Sequence, residues 1–228
     1  MAACDPYEET DIIRMIESKA FETGDLLRNQ TIYTMECATG GRINELLKLQ
    51  LKDVIDSHNR IRRQISFTET KNKTTITVDF INDLAIMFLE VWLKRVADMG
   101  YMQTYSPLFP SPVRGKQAIS SRQIYNIYDK GHKELKLEGH YGTHSCRKTW
   151  VKDTYYFYEK QMHEGKSSVN PLTKLFATGR WKTMDAMMRY CAFLMGDTSE
   201  SQAALYPRAR KHFKNMISEK YQTGTNTV

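Results

Sequence analysis

The chain has 228 residues, enough for one large globular domain or two small ones, and its 41% hydrophobic and 26% charged content is that of a folded domain. Lys+Arg 33 against Asp+Glu 26 leaves a net charge of +7, which favours a polyanionic partner without identifying one. Four scattered cysteines (Cys4, Cys37, Cys146, Cys191), no apolar run near the ~20 residues that span a bilayer and no signal-peptide pattern point to a reducing cytoplasm, without a paired-cysteine metal or redox motif.

In chain order, Ile12, Ile13, Met15 and Ile16 at helical spacing predict a helix over 11–21, ended near Gly24. A second helix is expected over 26–37, stopping at Gly40-Gly41, and a third over 42–51 with Ile43, Leu46 and Leu47 on one face. The period then changes. Residues 61–67 and 74–78 are β-branched and alternating, around the polar turn 69–73, which predicts a small antiparallel hairpin or sheet. Further helices are expected over 82–99, 120–135 and 144–160, with a short one opened by Pro171 and another over 183–194. Residues 196–201 read as a polar linker and 208–220 as a basic helix. The expected fold is mainly α with a small antiparallel β-sheet, an α+β chain.

Three segments carry unusual charge. Arg42 follows two glycines at a predicted helix start, where the dipole and free N–H groups favour anions rather than cations. The placement makes sense if a phosphate sits between the amides and the guanidinium, although a solvated surface arginine is the ordinary reading. The segment 142–150 repeats the oddity. Thr143 is the expected N-cap, and His144 and Arg147 lie three apart on the first turn. A His140/His144 metal pair is disfavoured, since no helix is expected before His144 and no acidic ligand is near in sequence. The third segment is 178–194, with an apolar stripe of Met184, Met187, Met188 and Cys191. Tyr190 lies about a quarter turn off that stripe, at the edge of a core, although periodicity alone would not select it among 13 tyrosines.

Taken in order, the boxes TGGRINEL, TKNKTTITV, HSCR, GRW and MRY resemble those of the phage-integrase, or tyrosine recombinase, family. The match spans roughly residues 5–194, and the nine-residue step from Trp181 to Tyr190 is typical of that family. The resemblance implies that Arg42 and Arg147 grip a scissile phosphate, that His144 hydrogen-bonds it, and that Glu45 orders the site. It further implies that Trp181 flanks the phosphate, that Lys71 is a general acid on the hairpin and that Tyr190 is the nucleophile. Lys73 is a rival to Lys71; the step from Lys71 to Val78-Asp79 favours the latter, with Asp79 where the family has proline. Trp181 stands where most members have histidine.

On that resemblance the chain is a site-specific DNA recombinase that cleaves and rejoins strands through a 3′-phosphotyrosine, with no metal, ATP or other cofactor. A type IB topoisomerase-like DNA-relaxing enzyme and a non-catalytic DNA-binding relative are the alternatives. Lys73, Lys148, Arg180, Arg208, Arg210 and Lys211 are further candidates for DNA contact. The expected partners are double-stranded DNA and copies of the chain, as a tetramer on DNA, with no membrane association. The expected setting is the cytoplasm of a prokaryotic cell or phage-infected host. Residues 1–195 are expected to form the catalytic domain and 196–228 a linker and basic tail docking on a neighbouring subunit, with the family's N-terminal DNA-clamping domain absent.

Overall fold

The computed structural model describes residues 4–191, apart from 69–74, 81, 102, 112–116, 143 and 179–180. Residues Met1–Tyr190 form one compact unit. This unit opens with α1 (Glu9–Glu17) and a short 3-10 turn (Lys19–Glu22). Asp25 then caps α2 (Leu26–Thr39) by accepting from the Arg28 N–H at 3.0 Å. Helix α2 buries residues on nearly every side, including Ile32, Tyr33, Met35 and the polar Asn29, Thr34 and Glu36. A helix so buried belongs at the centre of a fold, and α2 packs against both α5 (Asp83–Asp98) and α7 (Ser145–His163).

Between them lie α3 (Ile43–Leu46), α4 (Leu51–Val54) and a two-stranded antiparallel sheet, β1 (Gln64–Thr68) with β2 (Thr75–Asp79). Ile65 pairs with Val78 and Phe67 with Ile76, and these four side chains form the sheet's buried face. Asn82 caps α5, which turns Ala85, Leu89, Trp92 and Val96 inward; the buried Trp92 indole donates to the Leu108 carbonyl at 2.8 Å. Then come α6 (Ser121–Leu135), α7, α8 (Pro171–Ala177), with Pro171 in its first turn, and α9 (Met184–Met188). The expected α+β architecture holds, with most boundaries shifted by a few residues.

Three local expectations fail, each for a physical reason. The helix expected over 42–51 is two short helices, α3 and α4. Leu46, Leu47, Leu49 and Leu51 are all buried, and at 100° per residue four leucines so spaced cannot share one helical face. The chain therefore turns between them, and Asp53 accepts from the Gln50 N–H at 2.8 Å to start α4. The helix expected over 183–194 ends at Met188, with Tyr190 in the following turn and Met184 43% exposed instead of in an apolar stripe; residues 192–194 lie outside the described residues. The N-cap position of α7 is His144, not Thr143, which itself lies outside the described residues. Among the described residues, no helix is long and apolar enough to cross a membrane.

Candidate active site

The site grows from the meeting of the α2–α3 corner with the first turn of α7. Helix α2 ends at Gly40, whose left-handed φ of +58° reverses the chain and delivers Arg42 to the N-cap of α3. The guanidinium of Arg42 donates from Nη1 to Glu45 Oε1 at 2.7 Å, and the Arg42 amide donates to Glu45 Oε2 at 3.0 Å. Glu45 is buried while the Arg42 side chain is 43% exposed, so the acid holds one guanidinium nitrogen of a partly exposed cation. The cation at a helix start, anomalous in sequence, is thereby neutralised locally by a charge-assisted pair.

Arg147 lies within the first turn of α7 and is only 2% exposed. Its Nη1 donates to the Gly40 carbonyl at 3.2 Å, tying the two arginine-bearing segments together across 107 residues. The same crossing is packed by Trp150, one turn further along α7. A Cβ at Gly40 would fall 2.6 Å from the Trp150 ring, so glycine is required there by space as well as by φ. Phe67 of β1 lies against Gly41 in the same way, docking the hairpin beside the Arg42 corner.

Over Arg147 sit the aromatic residues. Its guanidinium carbon is 5.3 Å from the Trp181 ring centre and 5.2 Å from that of Tyr190, both within cation–π range. Trp181 stacks on Trp150 with ring centres 6.3 Å apart and lies 5.7 Å from Tyr190. His144 meets Tyr190 edge to face at 6.1 Å. Burial first, then Arg147, Arg42 and Lys148, lower the pKa of His144, so its imidazole is neutral at pH 7 in the absence of an anion. Lys148 is itself buried on α7.

Two buried ring nitrogens here, His144 Nδ1 and Trp181 Nε1, have no hydrogen-bond partner among the described residues. A buried polar atom left unsatisfied costs about 1–3 kcal/mol, which an oxygen-rich ligand would recover. With Arg42 and Arg147 beside them, the combination suits an oxyanion of phosphate type. Among the described residues no group of three or more His, Cys, Asp or Glu is placed to hold a metal ion.

Of the residues expected from sequence, the fold brings Arg42, Glu45, His144, Arg147, Lys148, Trp181 and Tyr190 to this region. Lys71, Lys73, Arg180, Arg208, Arg210 and Lys211 lie outside the described residues. Sequence reasoning took Gly40 only as a helix stop and did not single out Trp150. The one available signal was the Arg147–Trp150 spacing of one helical turn. A groove of about 1240 Å³ runs along the 56–64 segment and α5 and contains none of these residues; it mixes Arg60, Arg63 and Lys94 with Asp56 and Glu90. The converging polar groups lie elsewhere.

A family model described as the phage integrase family matches residues 7–163, over two thirds of the chain. The chain belongs to the phage integrase family. No match is found among curated protein sequences. Among solved structures, XerA recombinase matches with a TM-score of 0.63 at 16% identity, covering 90% of this chain and 65% of that one. The XerH site-specific recombinase bound to palindromic difH substrate, a post-cleavage complex, matches with a TM-score of 0.56 at 17% identity, covering 88% and 53%. Lambda integrase bound to DNA matches with a TM-score of 0.50 at 17% identity, covering 71% and 53%. At these identities the likeness establishes the shared fold. This phage integrase family member spans about one half to two thirds of the length of those chains.

Proposed function

We propose that the chain is a site-specific DNA recombinase that cleaves and rejoins strands through Tyr190. The observation that carries this reading is the convergence on Arg147 of Tyr190 at 5.2 Å and Trp181 at 5.3 Å, with His144 beside Tyr190. A phenol is a weak nucleophile at neutral pH until the charge that develops in the transition state is stabilised. The Tyr190 oxygen attacks phosphorus and gives up its proton, the phosphorus–O5′ bond breaks, and O5′ takes a proton to leave as a hydroxyl. The 3′-phosphotyrosine preserves a phosphodiester bond, so attack by a second 5′-hydroxyl rejoins the strands without ATP.

Each side chain has a part in that step. Arg42 and Arg147 grip the non-bridging oxygens, where charge accumulates. Glu45 holds Arg42 in place through its 2.7 Å contact. His144, neutral without substrate, gains affinity for a proton as the phosphate arrives and hydrogen-bonds it. Trp181 donates one N–H but cannot exchange a proton, unlike the histidine most members carry. Lys71, in the segment between β1 and β2, protonates O5′; the docking of Phe67 of β1 on Gly41 supports this role by placing that strand next to the Arg42 corner.

Double-stranded DNA is the proposed substrate, and a tetramer of the chain on paired sites the proposed assembly, acting in the cytoplasm of a prokaryotic or phage-infected cell. Residues 1–195 form the proposed catalytic domain, and Arg208, Arg210 and Lys211 sit in a tail that docks on a neighbour. Lys73, Lys148 and Arg180 are proposed phosphate contacts. The solved XerH complex with difH and lambda integrase on DNA support the choice of substrate. A supercoiled plasmid incubated in EDTA, with and without two candidate sites taken from DNA flanking the gene, tests the proposal. Exchange products that require both sites are expected. Relaxed topoisomers alone, equal with and without sites, would make the chain a topoisomerase-like enzyme instead.

A further inference from the structure

Beneath the two arginines lies a buried acid that the reaction does not use. Glu36, on α2 one turn before Gly40, is 2% exposed. The Tyr128 hydroxyl of α6 donates to its Oε2 at 3.1 Å, a wholly buried bond between residues 92 apart. Burial pushes the Glu36 carboxyl up to about 8; the Tyr128 bond and the nearby Cys146 thiol and Ile43 amide oppose that rise, while Glu45 adds to it. Cys146 immediately precedes Arg147, and Ile43 immediately follows Arg42. Tyr128 is held in turn by ring contacts to Tyr33 at 5.3 Å and Phe21 at 5.9 Å.

The acid therefore ties to α6 the end of α2 from which Gly40 holds Arg147 and the chain turns to Arg42. An apolar side chain would fill the same space without the cost of burying a carboxyl, so stability alone does not account for it. We infer that Glu36 is a positioning residue, one that holds the Arg42 corner and the first turn of α7 in the mutual register a phosphate clamp requires. The inference rests on the reading of Arg42 and Arg147 as that clamp. Because the carboxyl is mostly protonated near neutral pH, glutamine is a close substitute for it in shape and charge.

Two variants separate positioning from stability. E36Q keeps a polar group in place. The double variant E36L/Y128F removes both partners of the buried bond, leaving neither hydroxyl nor carboxyl unsatisfied, a change that is often nearly neutral for folding. The readouts are the single-turnover rate of SDS-resistant adduct formation on saturating supercoiled plasmid, the plasmid affinity and the melting temperature. E36Q is expected to stay within about threefold of the unsubstituted rate, while E36L/Y128F falls roughly 10- to 100-fold with little change in plasmid affinity, the size of loss a misplacement near 1 Å produces.

A folded E36L/Y128F cleaving at the unsubstituted rate would overturn the inference, as would an E36Q as slow as the double variant. If the double variant does not fold, Tyr128→Phe alone decides. It should cleave at least about threefold more slowly at saturating DNA, with unchanged affinity, and an unchanged rate overturns the inference. An unsubstituted chain that forms no Tyr190-dependent adduct instead contradicts the reading of the site, and the Glu36 inference falls with it.

Discussion

Trp181 stands where the resemblance places a histidine, and its surroundings say what it can do. It stacks on Trp150, lies over Arg147 and keeps a buried N–H without a partner among the described residues. Trp181→His should therefore retain cleavage within roughly tenfold, since either ring can pack there and donate one hydrogen bond, whereas Trp181→Ala should lose roughly 10- to 1000-fold. Equal rates for all three, measured as adduct formation on a nicked duplex, would remove Trp181 from the site. Lys71→Ala should slow cleavage by roughly 10²–10⁴-fold, the usual worth of a general acid, and far more than Lys73→Ala. A substrate with sulfur bridging at the 5′ position needs no acid and should rescue the Lys71 variant; rescue of the Lys73 variant instead would reverse the assignment. Arg42, His144, Arg147 and Trp181 were legible because each sits in a short box with fixed spacing. Glu36 was not, because its neighbours are 7 to 110 residues away in sequence and it reads as one polar position on an otherwise mixed helix. Its titration gives a separate prediction. The folded value near 8 lies above the ordinary 4.5, so the folded chain holds a proton that the unfolded chain releases between those values. The contribution of Glu36 to stability is therefore full below about pH 4.5 and is lost as pH rises towards 8. Glu36→Gln should remove that loss, raising stability at pH 7 by roughly 3 kcal/mol and flattening the dependence of melting temperature on pH between 5 and 8.

At the level of elements, the crossing of α2 on α7 sets the site. Gly40 has a left-handed φ, accepts from Arg147 and leaves no room for a Cβ against Trp150. Gly40→Ala should destabilise the chain by roughly 2–4 kcal/mol, combining the backbone penalty with overpacking, as read by urea denaturation. A loss below 0.5 kcal/mol would mean that the crossing tolerates a shift, and the rigid placement of Arg147 would then be wrong. Long helices such as α2, α5 and α6 were legible because each carries either regular apolar spacing or a clear cap. The segment 42–51 was not. Its leucines satisfy a helical pattern in part, and only their burial on several sides shows that the chain must turn. The same holds for α9, which stops two residues before Tyr190 and so presents the tyrosine from a turn instead of a helix face.

For the whole molecule, affinity for DNA should come mainly from phosphate contacts. The net +7 is shared with surfaces that face away from the duplex, and the chain spans only about one half to two thirds of the solved recombinases it resembles. The isolated chain should therefore bind random and cognate duplexes weakly at physiological salt, with log K falling by about 0.9 per neutralised phosphate for each unit of log salt. Tight, strongly selective binding by the monomer would show that this single module suffices. Cleavage chemistry is the more direct question. A nicked duplex that traps the covalent intermediate, run on denaturing gels with the unsubstituted chain and with Tyr190→Phe, addresses it in one measurement. An SDS-resistant adduct formed in EDTA by the unsubstituted chain, and absent from a Tyr190→Phe variant that still binds DNA, is the expected result. An adduct that survives in the phenylalanine variant would place the nucleophile on another residue and contradict the assignment of Tyr190.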